Sequence, residues 1–396
     1  MNDLYQTLDM LRGVQNRLTA AVSNPARPWK GFAGNNEESN QRGILLYGPR
    51  GTGKTTYLLR MAQMVSGVYL SVDHPALATH PLFDWVEALF MRGTRYVYLD
   101  EIHHAADWSQ SLKTLYDSHP DCYIRASGSS SLLLSSGIGD LSRRYVGMYL
   151  PYLSFREFLV LKGLFDYGVH DPFKNDLRWA EDVLHSSHNI LALFESYLRT
   201  GLRPLFIEGE EHYGTKIIQV SRKTIESDIP YLIPHLATNH FRLMNAILGY
   251  IALSDIPVLQ VNSLCREWNV GKEKLYSLLH AMEQTGLLRI LRTPSDYTAM
   301  SIGSKIFLAD PSLYYALSGK EGNMREAFVA CALQSAGRDI YAARDERKAD
   351  FIVDRSILIE AGGPKKEKKS ADFVVRDGID WPSPGIIPLW CLGFMW

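Results

Sequence analysis

The stretch Gly48-Pro49-Arg50-Gly51-Thr52-Gly53-Lys54-Thr55 decides how the rest of the chain is interpreted. It fits the pattern G-x-x-x-x-G-K-[ST] and lies between an apolar run, Ile44 to Tyr47, and a helical apolar pattern that begins at Tyr57. Glycines allow such a loop to curl so that its backbone N–H groups point inward, and the N-terminus of the following helix adds a positive field. The pattern therefore predicts a loop that binds phosphate groups.

Side chains of this loop have predicted roles beside its backbone. Lys54 is expected to reach the β- and γ-phosphates of a nucleotide, and Thr55 is expected to ligate Mg²⁺ through its hydroxyl. A nucleotide and Mg²⁺ are therefore the expected ligands. The predicted binding residues are Gly48, Pro49, Arg50, Gly51, Thr52, Gly53, Lys54, Thr55 and Thr56.

Short apolar runs alternate with helical periods in the first part of the chain. The runs are Ile44 to Tyr47, Val68 to Val72, Tyr96 to Leu99, Tyr123 to Ala126 and Val146 to Leu150. An alternation of strand and helix is typical of βαβ units and of a mostly parallel sheet. The expected fold class of this part is α/β.

An acidic pair, Asp100-Glu101, ends the third apolar run. Ligands bind at the carboxyl ends of parallel strands, so we expect Asp100 to hold the Mg²⁺ shell and Glu101 to polarise the attacking water. Without the phosphate loop, a solvated acidic pair would be an equally good interpretation. His103 and His104 follow, but no further ligand has a suitable spacing, so a metal site is not predicted there.

Two further groups of side chains are candidates for the same site. Ser127, which follows the fourth run, is expected to hydrogen-bond the γ-phosphate or the water, although a serine-rich turn that caps a helix is an equal alternative. Arg143 and Arg144 precede the fifth run. Either arginine could stabilise the transition state, from the same chain or from a neighbouring copy, and a salt bridge is the alternative for both.

Composition excludes several classes of protein. Lys and Arg total 42 and Asp and Glu total 43, a formal net charge of -1, so a chain coated with nucleic acid along its length is not expected. The four cysteines form no C-x-x-C pair, which favours a reduced, cytoplasmic compartment. The longest apolar stretch, Ile386 to Trp396, is too short to span a bilayer, so no membrane partner is expected.

The later part of the chain has a different pattern. Ser154 and Glu157 fit a capping box that opens a mainly helical segment, and residues 241–302 read as helix, helix, turn, helix and strand, the order of a winged helix. We predict five segments: an N-terminal helical segment and linker, the ATPase core, a helical lid, the winged helix and a small α/β C-terminal domain. Their ranges are 1–42, 43–155, 156–238, 239–315 and 316–396.

These motifs together resemble a known family, the prokaryotic AAA-type ATPases of the additional-strand, catalytic-Glu class. The resemblance implies a P-loop NTPase sheet with a lid, a winged helix and a C-terminal domain of unknown function, together with ATP and Mg²⁺ binding and hydrolysis. One departure is Ala126-Ser127 where relatives carry Thr before Gly-Ser-Ser. The motifs are Gly48 to Thr56, Leu99 to His103, Ser127 to Ser130, Leu141 to Arg144, Leu153 to Phe158, Asp228 to Pro230 and Pro388 to Trp390.

Two segments raise the question of DNA. Lys272 and Lys274 begin the candidate recognition helix of the winged helix, but its local charge balance is weak for a DNA reader, so DNA contact and protein packing stand as equal alternatives. The last domain resembles restriction-endonuclease-like folds, with Asp350 and Glu360 as the acids. Gly362 stands where those enzymes carry lysine, so we expect this domain to be inactive.

Three hypotheses follow for the whole chain. The first is an ATPase whose turnover changes the conformation of lid and winged helix. The second is a nucleotide switch or DNA-binding module that does not hydrolyse ATP, and the third is an ATP-gated DNA nuclease. The pathway, an unidentified protein partner and the oligomeric state are left open by the residues.

Overall fold

The computed structural model consists of two compact units, Met1–Pro151 and Tyr152–Trp396. Each unit is described here by itself. The structure describes residues 2–22, 27–29, 41–129, 138–174, 177–186, 188–233, 235–254, 261–294, 305–345, 347–368 and 370–396.

The first unit is a parallel five-stranded sheet covered by helices. Its strands are β1 (Gly43–Gly48), β2 (Val68–Ser71), β3 (Tyr96–Asp100), β4 (Tyr123–Ser129) and β5 (Tyr145–Tyr149). Its helices are α1 (Asn2–Ala21), α2 (Lys54–Met64), α3 (Leu82–Met91), α4 (Trp108–Ser118) and α5 (Ile138–Leu141), with 3₁₀ turns at Pro75–Thr79 and Ile102–His104. All five predicted strands are present, and the predicted α/β class is confirmed.

The strand order β2-β3-β4-β1-β5 brings three chemically important strand ends together. Strand β4 lies between β1, which leads into the phosphate loop, and β3, which ends in the acidic pair. Because all of these pairs are parallel, the carboxyl ends of β1, β4 and β3 meet at one edge of the sheet. This is the edge at which parallel sheets bind ligands.

The N-terminal helix α1 is part of this unit and not a separate segment. Leu8 and Leu11 are buried in the same apolar core as the sheet. The Gln15 side chain bonds to the edge strand β2 through two contacts: its amide donates to Gly67 O at 3.0 Å, and its carbonyl accepts from Tyr69 N at 3.0 Å. The helix thus covers part of a strand edge that would otherwise expose backbone polar groups.

The second unit begins with helices and ends with a mixed sheet. Its helices are α6 (Phe155–Leu161), α7 (Arg178–Leu184), α8 (Ile190–Ser196), α9 (Tyr213–Lys223), α10 (Ile229–Leu232), α11 (Thr238–Leu253), α12 (Val261–Glu267), α13 (Lys272–Gln284), α14 (Ser312–Ala316) and α15 (Glu321–Ser335). Its strands are β6 (Leu288–Leu291), β7 (Lys305–Leu308), β8 (Ile340–Ala342), β9 (Phe351–Val353), β10 (Ile357–Gly362), β11 (Phe373–Arg376) and β12 (Ile386–Pro388).

The predicted lid, winged helix and C-terminal domain share one apolar core. Buried side chains form a continuous cluster from Tyr152 to Trp396, so the predicted boundaries at 238 and 315 fall inside it. Arg203 of the helical segment pairs with Asp310, which follows β7, at 2.7 Å, and both side chains are at most 3% exposed. The three segments are therefore sub-structures of a single compact unit.

The predicted capping box at the start of α6 is present: Glu157 N donates to Ser154 Oγ at 3.1 Å, and Ser154 N donates to Glu157 Oε2 at 2.8 Å.

Among the described residues, no helix is long and apolar enough to cross a membrane.

Candidate functional site

The phosphate loop connects β1 to α2 through glycines that no other residue could replace without strain. Gly51 and Gly53 have φ angles of 74° and 99°, in the left-handed region that disfavours side chains. Gly48 has a φ of 151°, and a Cβ atom there would lie 2.2 Å from the carbonyl oxygen of Leu150. These glycines are required by the shape of the loop and by its close approach to the backbone of Leu150 in the same chain.

The Lys54 ammonium is bound by backbone oxygens at the start of the loop. It donates to Gly48 O at 2.8 Å and to Pro49 O at 2.9 Å, and the residue is only 7% exposed. Both partners are neutral carbonyl groups. A charged phosphate oxygen is a stronger acceptor for this ammonium than either carbonyl oxygen.

Asp100 is the centre of the polar contacts at this edge of the sheet. Its Oδ2 accepts from Thr55 Oγ1 at 2.6 Å and from Tyr69 OH at 2.9 Å. Its Oδ1 accepts from Ser127 Oγ and, at 3.2 Å, from the Glu101 N–H. Asp100 itself is 2% exposed. The sequence analysis expected Thr55 and Asp100 in one site, and the structure brings them into direct contact.

Tyr69 is a member of this network that the sequence analysis missed. Burial, followed by the neighbouring Asp100 charge and hydrogen bond, raises the pKa of its phenol well above the ordinary value, so Tyr69 acts as a proton donor. It lies on β2, whose Ser71 is the register partner of Asp100 in β3. The signal available in the sequence was a polar aromatic residue on the strand next to the acidic pair.

Ser127 has a different partner from the one expected. Its hydroxyl is fully buried and donates to Asp100, and its oxygen lies 3.4 Å from the Glu101 N–H. Ser127 thus supports the acidic pair from the strand that separates β3 from β1. Its contact with a γ-phosphate or a water stays a prediction, and Ser130 and Ser131 lie outside the described residues.

Glu101 lies where β3 ends and the backbone reverses. Its φ of 51° and ψ of 46° place a non-glycine residue in the left-handed region, a conformation that costs about 1–3 kcal/mol and is frequent at functional sites. Its Oε1 lies 4.0 Å from Nη1 of Arg50 in the phosphate loop, and its Oε2 lies 3.4 Å from Nδ1 of His103. The predicted catalytic carboxylate therefore faces the loop.

Arg143 and Arg144 lie at the opposite edge of the sheet from the phosphate loop. Tyr145, the first residue of β5, is the register partner of Gly43, the first residue of β1, whereas the loop follows Gly48. Five residues of strand separate the two ends by about 17 Å. Arg143 is exposed, and Arg144 pairs with Asp117 through two bonds of 2.7 and 2.8 Å. Contact with a nucleotide bound in the same chain is not favoured for either arginine.

A second group of ionised side chains lies in the second unit. Lys305, in β7, donates to Glu326 Oε2 at 2.9 Å and to Asp350 Oδ1 at 3.0 Å, and its side chain is 3% exposed. Burial lowers the pKa of Lys305, but the charges of Glu326 and Asp350 outweigh that effect and hold it above the ordinary value. Burial also raises the pKa of Glu326. The ammonium thus lies between two carboxylates as their counter-ion.

The lysine expected to be missing from this unit is supplied from a different position. Lys366 Nζ lies 2.7 Å from Oε1 of the fully buried Glu360 and 4.0 Å from Asp350 Oδ2. A Cβ atom at Gly362 would lie 2.5 Å from Cγ of Lys366, so the stem of Lys366 fills the space beside Gly362. Lys366 N bonds to Gly363 O and closes a tight turn, which returns Lys366 past Gly363 and Pro364 to the acidic residues.

The basic residues of the winged-helix segment are unequally available. Arg289 is buried and bonds to Gln334 and to Ala309 O, and Arg292 pairs with both carboxylate oxygens of Glu283. Lys272 is exposed and Lys274 is half-buried at the start of α13. Arg289 and Arg292 are thus engaged within the chain, which weakens the case for DNA contact.

Comparison with known proteins finds a similarity over one part of the chain. Residues 40–159 match the AAA domain family. No functionally curated protein matches the chain. Among solved structures, a Walker-type ATPase of Pyrococcus abyssi is similar, with 14% identity over 76% of this chain and 99% of that chain and a TM-score of 0.47. The RuvB Holliday junction branch migration motor of Thermotoga maritima gives 17% identity, 74% and 90% coverage and a TM-score of 0.32.

Both structural likenesses are distant, so the assignment rests on the family match and on the geometry of the site. Residues 40–159 contain the phosphate loop, the acidic pair and all five strands of the parallel sheet. This part of the chain is similar to the AAA domain family, and its parallel sheet with the phosphate loop after β1 has the P-loop NTPase fold.

Proposed function

We propose that the chain binds ATP with Mg²⁺ at the phosphate loop and hydrolyses it with Glu101 as the group that accepts the proton of the attacking water. The observation that carries this proposal is the bond between Thr55 Oγ1 and Asp100 Oδ2, at 2.6 Å. It joins the loop that would hold the phosphates to the acidic strand end that would act on the water. Glu101 is the residue after Asp100, so the proposed proton acceptor follows directly on the residue that bonds to the phosphate loop.

The residues present fit a magnesium ion. Thr55 donates its proton to Asp100, so the lone pairs of the Thr55 oxygen remain for a cation. The two Asp100 oxygens already accept from four donors, so we expect Asp100 to act through Thr55 and through cation-bound water rather than as a direct ligand. When bound, Mg²⁺ would neutralise charge that develops on the β- and γ-phosphate oxygens.

The chain's own groups account for the remaining steps. Lys54 would exchange its two carbonyl partners for phosphate oxygens, which are stronger acceptors because they are charged. The water oxygen would then form a bond to the γ-phosphorus while the bond from that phosphorus to the bridging oxygen breaks. Glu101 would take the proton that the water releases, and ADP would leave with the electron pair of the broken bond.

An arginine from a second copy of the chain would complete the site. Arg143 is exposed and lies about 17 Å along the strands from the loop of its own chain, as judged from the register of β1 and β5. Arg144 is engaged with Asp117. We therefore favour Arg143 over Arg144 as the group that acts in trans, which requires an oligomer.

The coupling of hydrolysis to the second unit has a physical route at the junction. Arg27 Nη1 donates to Thr52 O in the phosphate loop at 3.0 Å and to the carbonyl of Pro151 at 3.1 Å. Pro151 is the last residue of the first unit. A rearrangement of the loop on nucleotide binding would thus move Arg27 and, through it, the carbonyl of Pro151. The second unit, which contains the lid and winged-helix segments, begins at the next residue.

The decisive experiment compares two glutamates of the first unit. Glu101→Gln should retain ATP binding and lose turnover by about 100-fold or more, because only the proton acceptor is removed. Glu87→Gln is the matched control, since Glu87 is also paired with a histidine, His119, at 2.6 Å but belongs to α3. ATP hydrolysis by Glu101→Gln at the rate of the unchanged protein would disprove the assignment.

Mixing two inactive variants tests the arginine. Arg143→Ala lacks the proposed trans group, and Lys54→Ala lacks a working loop. A mixture of the two should recover part of the activity, because an intact loop in one copy meets an intact Arg143 in the other. If the mixture stays inactive although both proteins oligomerise, Arg143 does not act between copies.

A further inference from the structure

The backbone reversal at Glu101 brings a buried histidine onto the side chain of the catalytic candidate. After Glu101 the chain enters the 3₁₀ turn Ile102–His104. Within this turn, His103 folds back so that its Nδ1 lies 3.4 Å from Glu101 Oε2. The His103 side chain is 2% exposed, whereas the next residue, His104, is exposed. Two adjacent histidines thus have opposite environments.

The Glu101 carboxylate is approached from two sides. His103 lies beside Oε2, and the guanidinium of Arg50 in the phosphate loop lies 4.0 Å from Oε1. A glutamate has three rotatable bonds, so without such contacts its carboxylate would sample many positions. With Oε2 beside the buried imidazole, Oε1 is the oxygen turned to the phosphate loop.

We propose that His103 is a positioning residue for hydrolysis: it holds the Glu101 carboxylate in the orientation in which Oε1 accepts the proton of the attacking water. This inference rests on the proposed function, because it assumes that Glu101 is the proton acceptor. His103 itself neither contacts the nucleotide nor changes its covalent state. It acts by lowering the number of orientations of Glu101, so that the productive one is populated before the water is activated.

The left-handed backbone of Glu101 supports this role. A strained conformation at a non-glycine residue persists only where surrounding contacts stabilise it. Here the conformation has a geometric result: Nδ1 of His103 lies 3.4 Å from Oε2 of Glu101, whereas an extended strand would hold the Cα atoms of residues 101 and 103 about 6.6 Å apart. The backbone reversal at Glu101 and the burial of the His103 imidazole therefore act together on the orientation of the Glu101 carboxylate.

The test separates orientation from folding and from nucleotide binding. His103→Leu removes the ring nitrogen and should lower kcat by about 10- to 100-fold while KM for ATP is unchanged, because only the general-base contribution is affected. His103→Asn places an amide near the position of Nδ1 and should restore most of the rate. His104→Leu is the matched control at the neighbouring exposed position and should retain full kcat.

Combination with Glu101→Gln distinguishes the two proposals. In that background His103→Leu should cause no further loss of turnover, because a positioning residue acts only through the group that it positions. If Glu101→Gln is inactive but His103→Leu retains full kcat, or if His103→Asn is as impaired as His103→Leu, the inference is overturned and the proposed function stands. If Glu101→Gln is fully active, the proposed function itself fails.

Nucleotide affinity and the unfolding midpoint of each variant complete the experiment. Should His103→Leu not fold, His103→Asn and His104→Leu decide: a folded His103→Asn that binds ATP with normal affinity but has lost its turnover contradicts the positioning role.

Discussion

Two buried lysines, Lys54 in the first unit and Lys305 in the second, show how the partner of an ammonium group decides what it can do. Lys54 is bound by two neutral backbone carbonyls, whereas Lys305 is bound by the carboxylates of Glu326 and Asp350. Exchange of a carbonyl for a phosphate oxygen adds a charge–charge attraction, so Lys54 is poised for a ligand. Removal of Lys305 from its carboxylates would leave buried negative charge uncompensated, so Lys305 is a structural counter-ion.

The largest expected effect breaks the first half of this comparison. Lys54→Met should weaken ATP binding on the order of 100-fold, because the charge facing the phosphates is lost. The free energy of unfolding should change less, since the bonds to the carbonyls of Gly48 and Pro49 join a charged group to neutral ones. Titration with a fluorescent ATP analogue measures the affinity, and Lys113→Met on α4 is the control. Unchanged affinity in Lys54→Met would show that the loop does not bind phosphate through this residue.

The second prediction tests the other half. Lys305→Met should lower the free energy of unfolding by about 3–5 kcal/mol, because Glu326 and Asp350 lose the ammonium that lies between them. ATP turnover per folded molecule should be unchanged. Urea denaturation gives the stability, and Lys348→Met, at an exposed position of the same unit, is the control. A large loss of turnover with normal stability would contradict the structural role.

The pH dependence of that deficit sharpens the comparison. Burial raises the folded-state pKa of Glu326 above its ordinary 4.5, so this carboxylate destabilises the fold at neutral pH and the penalty is relieved as pH falls toward 4.5. The raised pKa of Lys305 means that its contribution is complete below 10.5 and is lost only at more alkaline pH. The deficit of Lys305→Met should therefore shrink as pH is lowered from 7 to about 4.5. A deficit that stays constant over this range would argue against electrostatic compensation.

Local pattern and spacing predicted that the phosphate loop and the acidic pair come together, because both follow the ends of parallel strands. A phosphate loop after β1 and an acidic pair after β3 must meet once the strands are parallel. The partners of these residues were not predictable, since Tyr69 and Arg27 reach the site through side-chain length and through the path of the chain. His103 was visible as a residue, but its burial depends on the left-handed turn at Glu101.

The second cluster was predicted poorly for a related reason. Asp350 and Glu360 lie on neighbouring segments, and the sequence indicated both as acids of one site. Lys305 comes from a strand 45 residues before Asp350, and no pattern connects the two. Pro364 restricts the residue before it, and no local pattern shows that the turn at Gly363 brings Lys366 back over Gly362. Side-chain partners that are distant in the sequence are set by the tertiary structure and leave no local pattern.

A smaller effect is expected where Lys366 covers Gly362. Gly362→Ala should destabilise the unit by about 1–3 kcal/mol, because the new Cβ would lie 2.5 Å from Cγ of Lys366 and the buried strand cannot shift freely. In a Lys366→Ala background the same substitution should cost less, since the obstructing stem is gone. Urea denaturation of the four proteins gives the coupling energy of this double-mutant cycle. Additive costs would show that Lys366 does not occupy this space in solution.

The smallest expected effect concerns DNA, which we expect the second unit not to cleave. Lys366, Asp350 and Glu360 supply a lysine and two acids, but the Lys305 ammonium already lies between Asp350 and Glu326, where it disfavours a divalent cation. Supercoiled plasmid incubated with the protein and Mg²⁺ or Mn²⁺, with and without ATP, should therefore stay intact. Cleavage that is abolished in Glu360→Ala but retained in Lys54→Ala would contradict the prediction. It would show that the second unit binds a metal ion despite the Lys305 ammonium and that it cuts DNA without the phosphate loop.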